Sequence, residues 1–154
     1  MKIILTVLFC LCVLVGCAST PKVVPNSPES KASVEAAIRR AAKKPTGELI
    51  KADFEKVTEL FLQSLRLTSL KGLGLEKLTK LRVLALDDNQ LVSVAELGKL
   101  TQLDILSLQH NKLTNVKGLE KLTLLSILDI LGNPTLTKAQ LAKLQKALPN
   151  CMFE

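Results

Sequence analysis

Few residues in this chain have the type and spacing to do chemistry. His110 is the only histidine among 154 residues, and a general base needs a reacting partner within hydrogen-bond reach. It stands in Leu108-Gln109-His110-Asn111, with no cysteine or serine arranged to use it. Asp87 and Asp88 form an adjacent carboxylate pair. Neighbouring strand residues point to opposite sides, so the pair reads as a solvated turn. The chain holds no glycine-rich phosphate loop, no G-x-S-x-G and no Cys-x-x-Cys. It is read as a non-enzyme, with no catalytic, metal or cofactor site expected.

Cysteine offers a different chemistry. Met1 and Lys2 supply one positive charge, and an apolar run follows from Ile3 to Gly16. That is the layout of a secretory signal. At about 1.5 Å per residue the run is short for a permanent membrane span. It ends in Leu14-Val15-Gly16-Cys17. This resembles the lipobox of bacterial lipoproteins, in which small residues precede an obligatory cysteine. The resemblance implies cleavage ahead of Cys17 and a diacylglycerol on its thiol. An ordinary export signal with a chance cysteine, or an uncleaved anchor, is the alternative. Buried acyl chains contribute about 0.8 kcal/mol per CH₂, so several would hold the chain to a bilayer. The expected location is an exported, membrane-anchored lipoprotein of the cell envelope. Ala18, where an Asp would favour inner-membrane retention in some bacteria, tilts this toward the outer membrane. Cys10 and Cys12 leave with the signal, so Cys151 has no disulfide partner. It reads as a small buried apolar residue, with an exposed thiol as the alternative.

The segments that hold these residues in place can be read along the chain. Residues 17–30 contain three prolines and several small polar side chains, the composition of an extended tether. Residues 31–56 read as an N-terminal helical cap. Its first helix has Ser27 as N-cap before Pro28, Glu29 in the first turn, basic residues at the far end and Pro45 as the stop. Val34, Ala37, Ile38 and Ala41 make one apolar stripe. A second short helix is expected over Lys51-Ala52-Asp53-Phe54-Glu55-Lys56.

From Val57 a pattern recurs. Leu81-Arg82-Val83-Leu84-Ala85-Leu86-Asp87-Asp88-Asn89-Gln90-Leu91 returns after 22 residues at Leu103 and after another 22 at Leu125. Val94, Leu97 and Leu100 recur as Val116, Leu119 and Leu122. A degenerate copy opens at Val57, with Leu65 in place of the asparagine and two extra residues. This resembles the leucine-rich repeat L-x-x-L-x-L-x-x-N-x-L, and the repeat length and tail resemble the internalin-like bacterial class. Alternation through Leu84-Ala85-Leu86 predicts a short strand with its leucines inward. One strand cannot bury that face alone, so copies must stack. The resemblance implies an asparagine ladder of Asn89, Asn111 and Asn133 bonding backbone inside the turns. The expected fold is an α/β solenoid: a short, curved parallel sheet of about four repeats over residues 57–136, with helical caps at both ends. The second cap, 137–154, carries a Thr137/Gln140 capping box and Leu141, Leu144 and Leu148 on one side.

The outward strand residues fall into columns: Glu59, Val83, Ile105 and Ile127; Phe61, Ala85, Ser107 and Asp129; Gln63, Asp87, Gln109 and Leu131. Three β-branched apolar side chains in water, flanked by Phe61 and Leu131, form the patch that often marks a contact surface. Such residues are also good strand formers. Asp87, Asp88, Gln109 and His110 would edge the patch with polar groups. The candidate partner-binding set is Phe61, Val83, Ile105, Ile127, Leu131, Asp87 and Gln109. The expected partner is a protein or envelope ligand of unknown identity, held on the concave face of a monomer. A structural envelope component without a discrete ligand is the alternative. Net charge is +7, or +6 without Lys2. The lysines are scattered among glutamates and there is no Trp or Tyr, so nucleic acid is not expected as a partner.

Overall fold

The structure, a computed structural model, describes residues 26–154. The signal, Cys17 and most of the tether lie outside the described residues. Five short strands form one parallel sheet in chain order: β1 (Glu59–Phe61), β2 (Val83–Ala85), β3 (Ile105–Ser107), β4 (Ile127–Asp129) and β5 (Met152–Phe153). Leu60, Leu84, Leu106 and Leu128 pair in register and are buried. The leucines after each asparagine descend into the same core. Tight 3₁₀ turns at Leu75–Lys77, Ala95–Lys99 and Leu119–Lys121 close the opposite side.

The ladder is directional. Asn111 accepts from Leu91 N–H (3.0 Å) and donates to Leu86 O (3.0 Å), both in the preceding repeat. Asn89 and Asn133 reach back in the same way, to Leu62 and Leu67 and to Leu108 and Leu113. Leu65 in the first copy follows from this direction, because an asparagine there would have no earlier repeat to bond. The N-terminal segment serves that turn instead. Ser30 Oγ donates to Leu65 O (2.7 Å). Asn26 accepts from Thr68 N–H (2.9 Å) and donates to Ser69 O (2.7 Å).

These contacts correct the boundary of the tether. Asn26 and Ser30 are buried, and helix α1 runs from Pro28 to Ala41 with Ser27 as its side-chain cap. Residues 26–30 therefore belong to the folded body. The helix also ends before Pro45. Lys43 takes φ +54°, and Lys44 and Lys43 N–H donate to Arg39 and Arg40 carbonyls at 2.9 and 3.1 Å, a Schellman termination. Val34 and Ile38 are buried where α1 covers the β1 edge.

Helix α2 (Lys51–Phe54) buries a carboxylate. Asp53 accepts from Lys44 Nζ (2.8 Å), Lys56 Nζ (3.1 Å) and Ile50 N–H (3.2 Å). The Lys44 ammonium first, then the Ile50 amide, hold its pKa at about 2, below the ordinary 3.8. A depressed folded-state pKa contributes stability above the unfolded value and loses it as pH falls through the folded one. Wild type should therefore lose thermal stability between about pH 4 and pH 2 to a greater extent than Asp53→Asn. Parallel acid declines in the two melting profiles would count against this.

Helix α3 (Lys138–Ala147) has the Thr137/Gln140 capping box, with Gln140 N–H donating to Thr137 Oγ1 (3.2 Å) and Thr137 N–H to Gln140 Oε1 (2.8 Å). Leu144 and Leu148 are buried. The C-terminal segment is not helical to its end. The chain turns at Cys151, and Met152 N–H donates to Ser126 O (2.8 Å) to start β5 against β4. Cys151 is a buried free thiol whose pKa is raised by desolvation, so it packs as a small apolar residue.

Candidate functional site

Parallel pairing stacks like positions. Glu59, Val83, Ile105, Ile127 and Met152 form one column across all five strands. Val83 and Ile127 are half-buried by their neighbours, while Ile105 is 37% and Met152 60% exposed. The expectation of three fully wetted β-branched side chains is thus modified: the column is a packed ridge whose crest is Ile105 and Met152. At a strand spacing of about 4.8 Å the whole column spans about 19 Å.

Phe61 and Leu131, 57% and 60% exposed, are not brought together. Phe61 lies at the N-terminal end, in a groove with Ala37, Arg40, Lys43 and Lys56. Leu131 lies at the other end, in a groove with Leu141, Ala142 and Phe153. Asp87 and Gln109 are half-buried in a side-chain network. Asp87 Oδ1 accepts from the Ser107 hydroxyl and from Gln109 N–H (3.1 Å). Asp129 Oδ2 accepts from Gln109 Nε2, and its Oδ1 from Leu131 N–H (3.3 Å). On the other flank, Asp104 accepts from the Ser126 hydroxyl (2.6 Å) and from Arg82 (2.9 Å). The Ser126 bond first, and then Arg82, lower the Asp104 pKa.

His110 faces Asp88 at 3.2 Å, both exposed. Its place in the repeat explains it structurally. Ser64, Asp88, His110 and Gly132 occupy equivalent turn positions, all with positive φ between 50° and 69°. Four different residue types serve one backbone requirement. Asn89, Asn111 and Asn133 are buried in the ladder, away from this face. Among the described residues no cluster of His, Cys, Asp or Glu is arranged to hold a metal, and no helix is long and apolar enough to cross a membrane.

Sequence reasoning missed Met152 and Glu154. The register puts Met152 beside Ile127 and carries Glu154 on beside Asp129, where Ile130 N–H donates to Glu154 O (3.0 Å). The repeat pattern stops before them. The only local signal is the apolar run Cys151-Met152-Phe153 after Pro149-Asn150.

No family model matches the chain, and no curated protein matches it. Solved structures do. Internalin C2 from Listeria monocytogenes is similar with a TM-score of 0.67 and 23% identity, over 85% of this chain and 64% of that one. A leucine-rich-repeat protein from Leptospira interrogans is similar with a TM-score of 0.58 and 28% identity, over 70% of this chain and 28% of that one. The functional domain of InlJ from Listeria monocytogenes gives a TM-score of 0.56 and 21% identity, over 86% and 29% of the two chains. The chain spans less than two-thirds of each. The fold is that of a short leucine-rich-repeat solenoid.

Proposed function

We propose that this protein is a lipid-anchored, cell-envelope leucine-rich-repeat protein that binds a partner protein or surface ligand on the outward face of its sheet and catalyses nothing. The observation that carries the reading is the apolar ridge of Val83, Ile105, Ile127 and Met152. These side chains add nothing to the leucine core on the other face of the sheet, yet they stand in register on a preformed surface. Preorganisation of this kind lowers the entropy lost on binding, and stacked repeats offer an extended surface for it. The leucine-rich-repeat fold supports a binding scaffold in general terms. Crosslinking in the intact envelope should give adducts that are lost in Val83→Asp, Ile105→Asp and Ile127→Asp. Adducts that persist in all three would count against this face.

The anchor reading rests on Leu14-Val15-Gly16-Cys17. Labelled palmitate should enter wild type and be absent from Cys17→Ser, and equal labelling of both would refute it. The described residues begin at Asn26, nine residues beyond Cys17. A chain of nine residues can span at most about 30 Å, at about 3.4 Å per residue, so an anchor at Cys17 would keep the sheet near a bilayer surface.

A further inference from the structure

Charge is segregated between the faces of this molecule. The segments 58–64, 82–88, 104–110, 126–132 and 151–154, which make the outward face of the sheet and its edges, carry six of the 14 carboxylates but one of the 19 Lys and Arg side chains of residues 26–154. That one cation, Arg82, is already paired with Asp104. The remainder of the folded body carries 18 cations against eight carboxylates. A basic chain thus presents an acidic face, so the negative charge there does not follow from overall composition.

The carboxylates flank the apolar ridge. Asp129 and Glu154 stand about 7 Å from it, two residues further along their strands, and Asp87 lies beyond them. Asp104 borders the opposite side. Asp87 and Asp129 accept hydrogen bonds from a serine hydroxyl, a side-chain amide and backbone N–H groups. These donors are neutral. They fix the carboxylates in position and leave their charges uncompensated. At the β1 end the pattern changes, because Glu59 shares a groove with Arg40, Lys43 and Lys56. The acidic stretch is therefore the part over β2 to β5.

We propose that the occupant of this face is a basic amphipathic helix of a partner protein, with its apolar stripe on Val83, Ile105, Ile127 and Met152 and its flanking lysines or arginines against Asp87, Asp129 and Glu154. The inference rests on the binding role proposed above. From Val83 to Met152 the ridge crosses three strand spacings, about 14 Å, which a helix covers with about 10 residues. Its side chains at i, i+3, i+4 and i+7 recur at about 5 Å along the axis, close to the strand spacing.

The test uses the full chain in nonionic-detergent micelles and a labelled peptide of about 14 residues, built from leucine and lysine in an amphipathic pattern. A leucine/glutamate peptide of the same pattern is the control. The lysine peptide should bind, more weakly as salt rises, and the glutamate peptide should not. Asp87→Asn with Asp129→Asn keeps one acceptor oxygen at each position, for Ser107 and for the Gln109 side chain, and gives up only the long exposed bond from Leu131 N–H (3.3 Å), so the thermal midpoint should change little while affinity falls about tenfold. Equal binding of both peptides, no binding of the lysine peptide, or wild-type affinity in the double variant would overturn the proposal. Envelope crosslinking separates this failure from a deeper one. Adducts lost in Ile105→Asp but kept in the carboxylate variant would leave the binding face standing without a cationic partner. Adducts kept in both would remove the face itself.

Discussion

Asn111→Ala is expected to lower the unfolding free energy by about 4 kcal/mol, read from the urea midpoint at unchanged slope. Alanine removes the acceptor of Leu91 N–H and the donor to Leu86 O, Leu108 O and Gln109 O, which lie at 3.0 to 3.1 Å. Asn111 is 3% exposed, so water does not readily replace those bonds. Each buried group left without a partner costs about 1–3 kcal/mol. A domain of this size has about 5–15 kcal/mol in total, and the substitution falls in the middle of the stack, where neighbouring repeats hold each other. Gln102→Ala, at an exposed position, is the comparison. A loss no larger for Asn111→Ala than for Gln102→Ala would refute the ladder as a principal source of stability.

Gly118→Ala is expected to cost about 3 kcal/mol, against about 1 kcal/mol for Gly74→Ala. Both glycines have positive φ, +92° and +77°. They differ in surroundings. A Cβ at 118 would lie 2.7 Å from Ala95 O and 3.0 Å from Ala95 Cα, while a Cβ at 74 would meet nothing within 4 Å. The neighbour at 118 is the backbone of the adjacent 3₁₀ turn, which cannot swing aside without opening the stack. The two melting points decide the matter. Equal losses would mean that the turns are not in the close contact described here.

The two substitutions probe different kinds of information. The asparagine was legible because it recurs with the leucines at a fixed interval. The glycine's crowding was not, since Gly74 and Gly118 both precede Leu-Glu-Lys-Leu-Thr, yet only Gly118 lies against a preceding turn, at Ala95. That close approach exists only once neighbouring turns are stacked. Asp53 was equally hidden: Lys44 is nine residues away from it, and a Schellman turn at Lys43 brings the ammonium back.

The candidate site divides in the same way. The columns through Val83, Ile105 and Ile127, and through Ala85, Ser107 and Asp129, follow from a period of 22 and strand alternation. They were readable because stacking copies of one unit leaves a single register. How far each side chain is wetted was not readable, because Val83 and Ile127 are covered by neighbours across the sheet.

Sequence by itself determined the repeat, the leucine core and the recurring asparagines, whose ladder the family resemblance implied. All of these are local or strictly periodic, and periodicity turns one-dimensional spacing into a three-dimensional stack. Tertiary structure alone decided the ends. It put Asn26 and Ser30 in the place of a missing ladder rung, and it added β5, with Met152 and Glu154, to the outward face. Those features depend on contacts between segments that share no period, so no spacing along the chain records them.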